Sequence, residues 1–174
     1  MPGGWSKQHE ISRLADAQTE LDYSIPVGEL PGVGDDVAAA SEPLHARLTF
    51  GREQGLPVVD IAVRGAVRLQ CQRCTRSFEQ SLDLHSRVVL LASERDADRA
   101  PPSLETYLAV EGRVSGAALV AEEVLLALPL APRHEAAQCV VEVDAAAAAP
   151  EAADIAGTRR PFAELQALLD KGRA

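Results

Sequence analysis

The sequence predicts an α+β fold in which an antiparallel β-meander packs on one buried helix, with a tethered amphipathic helix at the C-terminus. Three observations lead to this prediction. Apolar residues alternate with polar ones between residues 44 and 92, the connections within that region are short, and a strongly apolar segment ends at Pro129. A chain of 174 residues, 47% of them apolar, can bury one core of ordinary size.

The alternating region predicts three strands. In "VRGAVRLQC", every second residue from Val63 to Cys71 falls on one face, while Arg64 and Arg68 fall on the other, as in a half-buried strand. "HARLTF" and "SFEQSLDLHSRVVLLA" add one strand on each side. The connections "GREQGLP" and "QRCTR" are too short for a parallel crossover, so these neighbours are antiparallel. A further short extended segment is expected around Leu21 to Ile25.

The segment "GAALVAEEVLLALPL" predicts the buried helix. It begins at about Ser115 and ends at Pro129, because a residue before proline disfavours the helical conformation. Apolar residues surround most of this helix, so we expect it to pack against the sheet. We interpret Glu122 and Glu123 as a narrow solvated stripe, since an acid/base pair would need a third group.

The chain divides into four predicted segments. Residues 1–43 form a loop-rich, extended N-terminal segment, residues 44–143 the core domain, residues 144–158 a flexible Ala-rich linker, and residues 159–174 a short amphipathic helix. The apolar stripe of this last helix contains Phe162 and Leu165. Such a helix either folds back on the core or inserts into a groove of a partner.

Charge is distributed unevenly along the chain. The net charge of −9 argues against a broad basic surface and against strong unspecific binding to nucleic acid. Residues 61–92 are the net-basic exception, and four of their arginines are either solvated or form a phosphate-contacting patch: Arg64, Arg68, Arg73 and Arg76. Neither a membrane-spanning apolar run nor a secretory signal is recognisable, so we expect a cytoplasmic protein.

Two of the three cysteines, Cys71 and Cys74, lie at the predicted tip between the second and third strands, where turn-forming residues are usual. They could form a redox dithiol, pack inertly or bind a metal. A redox pair normally begins a helix, whereas "TRSFEQSL" continues as a strand. His134 and Cys139 follow the buried helix and would complete a tetrahedral, structural zinc site. Such a closed site has no open position for catalysis.

Three stretches, "VRGAVRLQCQRCTRSFEQSLDL", "VAEEVLLALPLAPRHEAAQC" and "RRPFAELQALL", together resemble the YceD family of large ribosomal RNA subunit accumulation proteins from bacteria and plastids. The resemblance places the family's C-x-R-C element on residues 71–74, its H-to-C loop on residues 134–139 and its N-P-F-A segment on residues 160–163. Two departures stand out: residues 115–118 replace an acidic, leucine-containing turn, and Arg160 replaces the family's asparagine.

The resemblance implies a noncatalytic role in the accumulation or processing of large-subunit (23S) ribosomal RNA. The implied partners are the precursor of that RNA or ribosomal and assembly proteins, with no membrane and no small-molecule substrate. In one version, the four arginines named above touch RNA or a ribosomal protein. In the alternative, the chain is an adaptor recognised through the helix that contains Phe162 and Leu165. A third hypothesis, unlike the first two, makes the chain an enzyme, a thiol oxidoreductase that uses the C-x-x-C cysteines.

Overall fold

A five-stranded β-sheet is the framework of the fold. The computed structural model describes residues 4–34, 37, 42–135 and 139. Within these residues the strands are β1 (His9–Glu10), β2 (Glu20–Ile25), β3 (Leu44–Glu53), β4 (Leu56–Gln70), β5 (Ser77–Leu91), β6 (Glu105–Leu108) and β7 (Arg113–Val114). The large sheet has the order β2-β3-β4-β5-β6, and β1 pairs with β7 in a separate antiparallel ladder.

The predicted antiparallel meander is confirmed as β3, β4 and β5. The extended segment predicted around Leu21 to Ile25 is β2, which pairs antiparallel with β3. By contrast, β6 runs parallel to β5. This pairing needs a longer connection, and residues 92–104, which include a 3-10 helix at Glu94–Arg99, provide it.

Within the described ranges, the sheet is accompanied by the α-helices α1 (Ile11–Asp16) and α2 (Gly116–Ala127). The predicted helix is α2. It begins after Ser115, whose hydroxyl accepts a hydrogen bond from the N–H of Ala118 at 3.2 Å, as a helix cap does. It ends before Leu128, which precedes Pro129 and has extended backbone angles. None of the described helices is long and apolar enough to cross a membrane.

The main core lies between the sheet and the helices. In β4, the odd-numbered residues of the stretch from Val59 to Leu69 face this core, apart from Gly65, which is half-buried. α2 contributes Leu119, Val120 and Val124, which are almost fully buried. A second, smaller cluster lies where the ends of β4 and β5 meet: Leu56, Val58, Val89 and Leu91.

Candidate metal centre and its surroundings

The tip of the β4–β5 hairpin holds the first two predicted ligands. The N–H of Cys71 donates to the carbonyl of Arg76 at 2.9 Å, and the N–H of Thr75 donates to the carbonyl of Cys71 at 2.9 Å. Thr75 has a φ of +59°, in the left-handed region. These bonds close a tight turn in which Cys71 is buried and Cys74 is half-buried.

The segment after α2 holds the other two predicted ligands. The N–H of Gln72 donates to the carbonyl of Pro132 at 2.9 Å, so the hairpin tip and this segment are joined through their backbones. The rings of Phe78 and His134 lie 5.6 Å apart between centroids, tilted by 37°. Both contacts hold His134 beside the hairpin tip.

The structure brings all four predicted ligands together. The Sγ atoms of Cys71 and Cys139 are 3.8 Å apart, and the Sγ of Cys74 lies 3.5 Å from the Nε2 of His134. All four ligand atoms lie within 4.8 Å of one another. All three cysteines are free, so no disulfide competes for these sulfurs. The group could therefore hold a metal ion.

Two of the separations between ligand atoms fit tetrahedral coordination. With Zn–S bonds of about 2.3 Å and Zn–N bonds of about 2.0 Å, a regular tetrahedron has S···S edges of about 3.8 Å and S···N edges of about 3.5 Å. The two distances given above match these edges. The donor set of three thiolates and one imidazole is also one that structural zinc sites use.

The thiols in this group interact electrostatically. Burial by itself raises the pKa of Cys71, but hydrogen bonds from the backbone N–H groups of Arg73, Cys74 and His134 outweigh it and lower the pKa to about 5. Burial and the neighbouring Cys74 and Cys71 sulfurs raise the pKa of Cys139 to about 11. A second thiolate is therefore costly here unless a cation offsets the repulsion.

The structure places the predicted basic residues at two locations. Arg64 and Arg68 lie on the exposed face of β4, while Arg73 and Arg76 lie at the exposed hairpin tip. On the sheet face, basic and acidic side chains alternate across strands. The Nε of Arg64 lies 3.0 Å from Asp83, and Arg68 is in register with Glu79. Phe162 and Leu165 lie outside the described residues.

The sequence did not predict that Glu123 of α2 is half-buried and lies near Glu105 of β6. Glu122 is exposed, as expected of a solvated stripe, but Glu123 is half-buried. Burial raises the pKa of Glu123, and so do the nearby carboxylates of Glu105 and Glu122. Glu105 lies on β6, and its proximity depends on the parallel pairing with β5 that no local pattern indicates. The available signal was that apolar residues surround most of α2, more than one buried face needs, and in the structure Leu125 and Leu126 remain exposed.

The chain is similar to known proteins over most of its length. The model of the family described as Large ribosomal RNA subunit accumulation protein YceD matches residues 59–169. A Haemophilus influenzae protein named Large ribosomal RNA subunit accumulation protein YceD is 29% identical over 168 residues, covering 92% of this chain and 95% of the relative. No solved structure matches significantly. The family match includes most of the β4–β5 hairpin, α2 and all four candidate ligands, and this chain belongs to the YceD family.

Proposed function

We propose that this chain is a noncatalytic cytoplasmic factor that promotes the accumulation or processing of large-subunit (23S) ribosomal RNA. The observation that carries the proposal is the similarity to the H. influenzae protein, whose name states that role and which matches this chain over nearly the whole length of both. The role needs no small-molecule substrate and no membrane.

We further propose that Cys71, Cys74, His134 and Cys139 bind a structural zinc ion. The four ligand atoms lie within 4.8 Å of one another, and two of their separations match the edges of a zinc tetrahedron, which supports this assignment. Zinc would join the hairpin tip to the segment that follows α2 and would add its binding free energy to folding. Four protein ligands leave no open position for water or substrate, which favours a structural over a catalytic ion.

Two mechanisms fit the proposed role. In the first, Arg64, Arg68, Arg73 and Arg76 contact the phosphates of precursor RNA. In the second, the chain is an adaptor that binds a ribosomal or assembly protein through Phe162 and Leu165. The pairing of Arg64 with Asp83 favours the second, because it reduces the positive potential of the sheet face. The net charge of −9 also favours the adaptor mechanism, because a negatively charged chain repels RNA phosphates.

The role is tested in cells that lack the native gene. We expect the ratio of 23S to 16S ribosomal RNA to fall and to be restored by the wild-type chain. A variant with Cys71→Ser and Cys74→Ser should fail to restore it if the zinc site is needed. An unchanged ratio in the deletion strain would contradict the proposed function.

Ultraviolet crosslinking in cells separates the two mechanisms. Direct binding predicts enrichment of defined large-subunit precursor fragments, and this enrichment should be lost when Arg68 and Arg73 are replaced by Gln. The adaptor mechanism predicts no enrichment above an unrelated acidic protein. It also predicts that Phe162→Ala lowers the 23S to 16S ratio, whereas the two arginine substitutions do not.

A further inference from the structure

The outer side of α2 is apolar although it faces solvent. Leu125 is 42% exposed and Leu126 is 70% exposed. A groove of about 430 Å³ runs beside them, and its lining includes Pro31, Tyr107, Ala118, Ala121, Leu125 and Leu126. We call this feature the α2 groove. An exposed apolar surface next to a groove of this kind is typical of protein interaction sites.

The rim of the α2 groove is acidic. Glu122 lines the groove itself, and Glu105 and Glu123 line the adjoining surface together with Leu126. That surface also includes His85 and Arg87, but Arg87 pairs with Glu53 and Asp60. Among the described residues, no basic side chain lies within 4.0 Å of these three carboxylates. The sheet face differs, because there Asp22, Asp60 and Asp83 each pair with an arginine. The groove therefore combines an apolar floor with negative charge that the described part of the chain does not neutralise.

We propose that the α2 groove binds a basic amphipathic helix of a protein partner. Apolar side chains on one face of that helix would fill the groove beside Leu125 and Leu126. Lysine or arginine side chains on its flanks would pair with Glu105, Glu122 and Glu123. This is the helix-in-groove mode of recognition, in which charge complementarity adds specificity.

The charge of the rim distinguishes this partner from two others. If a second copy of the chain bound through the same groove, the isologous interface would bring the two sets of carboxylates together, and they would repel each other. RNA phosphates would be repelled as well. The inference goes beyond the proposed role in RNA accumulation, because binding of a basic helix at this groove does not depend on that role.

The test uses the full chain and a fluorescent synthetic helix with leucine on one face and lysine on the other. We expect saturable binding by fluorescence anisotropy, and a Kd raised at least about fivefold by Leu126→Ala. The control Leu130→Ala removes a fully exposed leucine outside the groove lining and should leave Kd unchanged. Glu105→Gln with Glu122→Gln should weaken binding more than Glu94→Gln with Asp98→Asn, which removes equal charge elsewhere.

Three outcomes would overturn the proposal. The first is equal binding of a helix in which glutamate replaces lysine. The second is an effect of Leu126→Ala no larger than that of Leu130→Ala, in protein shown by circular dichroism to be folded. The third is a concentration-dependent dimer in sedimentation analysis that Leu126→Ala abolishes, which would assign the groove to a second copy of the chain.

Discussion

Four side chains from two distant parts of the sequence meet at the candidate metal centre. Their residue types and the C-x-x-C spacing made Cys71, Cys74, His134 and Cys139 candidate zinc ligands, because thiolates and imidazole are the ligands of structural zinc, and the structure brings the four together. The sequence alone did not determine the distances between them. These depend on the tight turn at the hairpin tip and on the hydrogen bond from Gln72 to Pro132.

His134 should be replaceable by another zinc ligand. We expect His134→Cys to keep the metal, because a thiolate can complete the tetrahedron, whereas His134→Ala should weaken zinc affinity by more than about tenfold. Competition with a chromogenic chelator measures both affinities. The metal assignment would be contradicted if His134→Ala bound zinc as tightly as the wild-type chain.

Glu123 should make stability depend on pH. Its pKa is raised in the folded state above the ordinary value of 4.5, mainly by burial, so ionisation destabilises the fold. This cost is fully present above the raised pKa and vanishes as the pH falls below 4.5. We therefore expect Glu123→Gln to raise Tm at pH 7 relative to wild type and to change it little at pH 4. A lower Tm at pH 7 would contradict this account.

Among the elements, the strands with strong alternation and the apolar helix were predictable, but short elements such as α1 and β6 were not. α1 spans only Ile11–Asp16, which is too short to show a helical period. β6 spans Glu105–Leu108 and pairs in parallel with β5 across a long connection. Both elements depend on contacts far apart in sequence, and local patterns carry little information about such contacts.

Close packing at the start of α2 should make a larger residue at Gly116 destabilising. A Cβ at Gly116 would overlap a ring carbon of Tyr23. Gly→Ala in a helix usually stabilises, but here we expect Gly116→Ala to lower the free energy of unfolding by about 1–3 kcal/mol through overpacking. Urea unfolding measures the change.

Gly51→Ala is the matched control for this substitution. Gly51 lies in β3, and the nearest atom to its added Cβ is a methyl carbon of Val58 at 4.0 Å, an ordinary contact. We expect Gly51→Ala to be neutral or stabilising. If Gly116→Ala were as stable as Gly51→Ala, the close contact between α2 and Tyr23 would be refuted.

The candidate metal centre lies where two elements meet that the sheet does not pair directly. The hairpin tip extends from β4 and β5, and His134 follows α2, so a zinc ion would link the sheet to the segment after the helix. We expect a strong chelator to lower Tm and to increase amide hydrogen exchange at residues 71–76 more than in the centre of β4. A chelator that left both unchanged would show that no metal supports this part of the fold.

The proposed zinc ion at Cys71, Cys74, His134 and Cys139 is tested by the metal content of untagged, reduced protein. Mass spectrometry of the metals should find about one zinc ion per chain, and substitution of Cys71 and Cys139 by Ser should reduce this sharply. Less than about a tenth of a zinc ion per wild-type chain would contradict the zinc assignment at these four ligands.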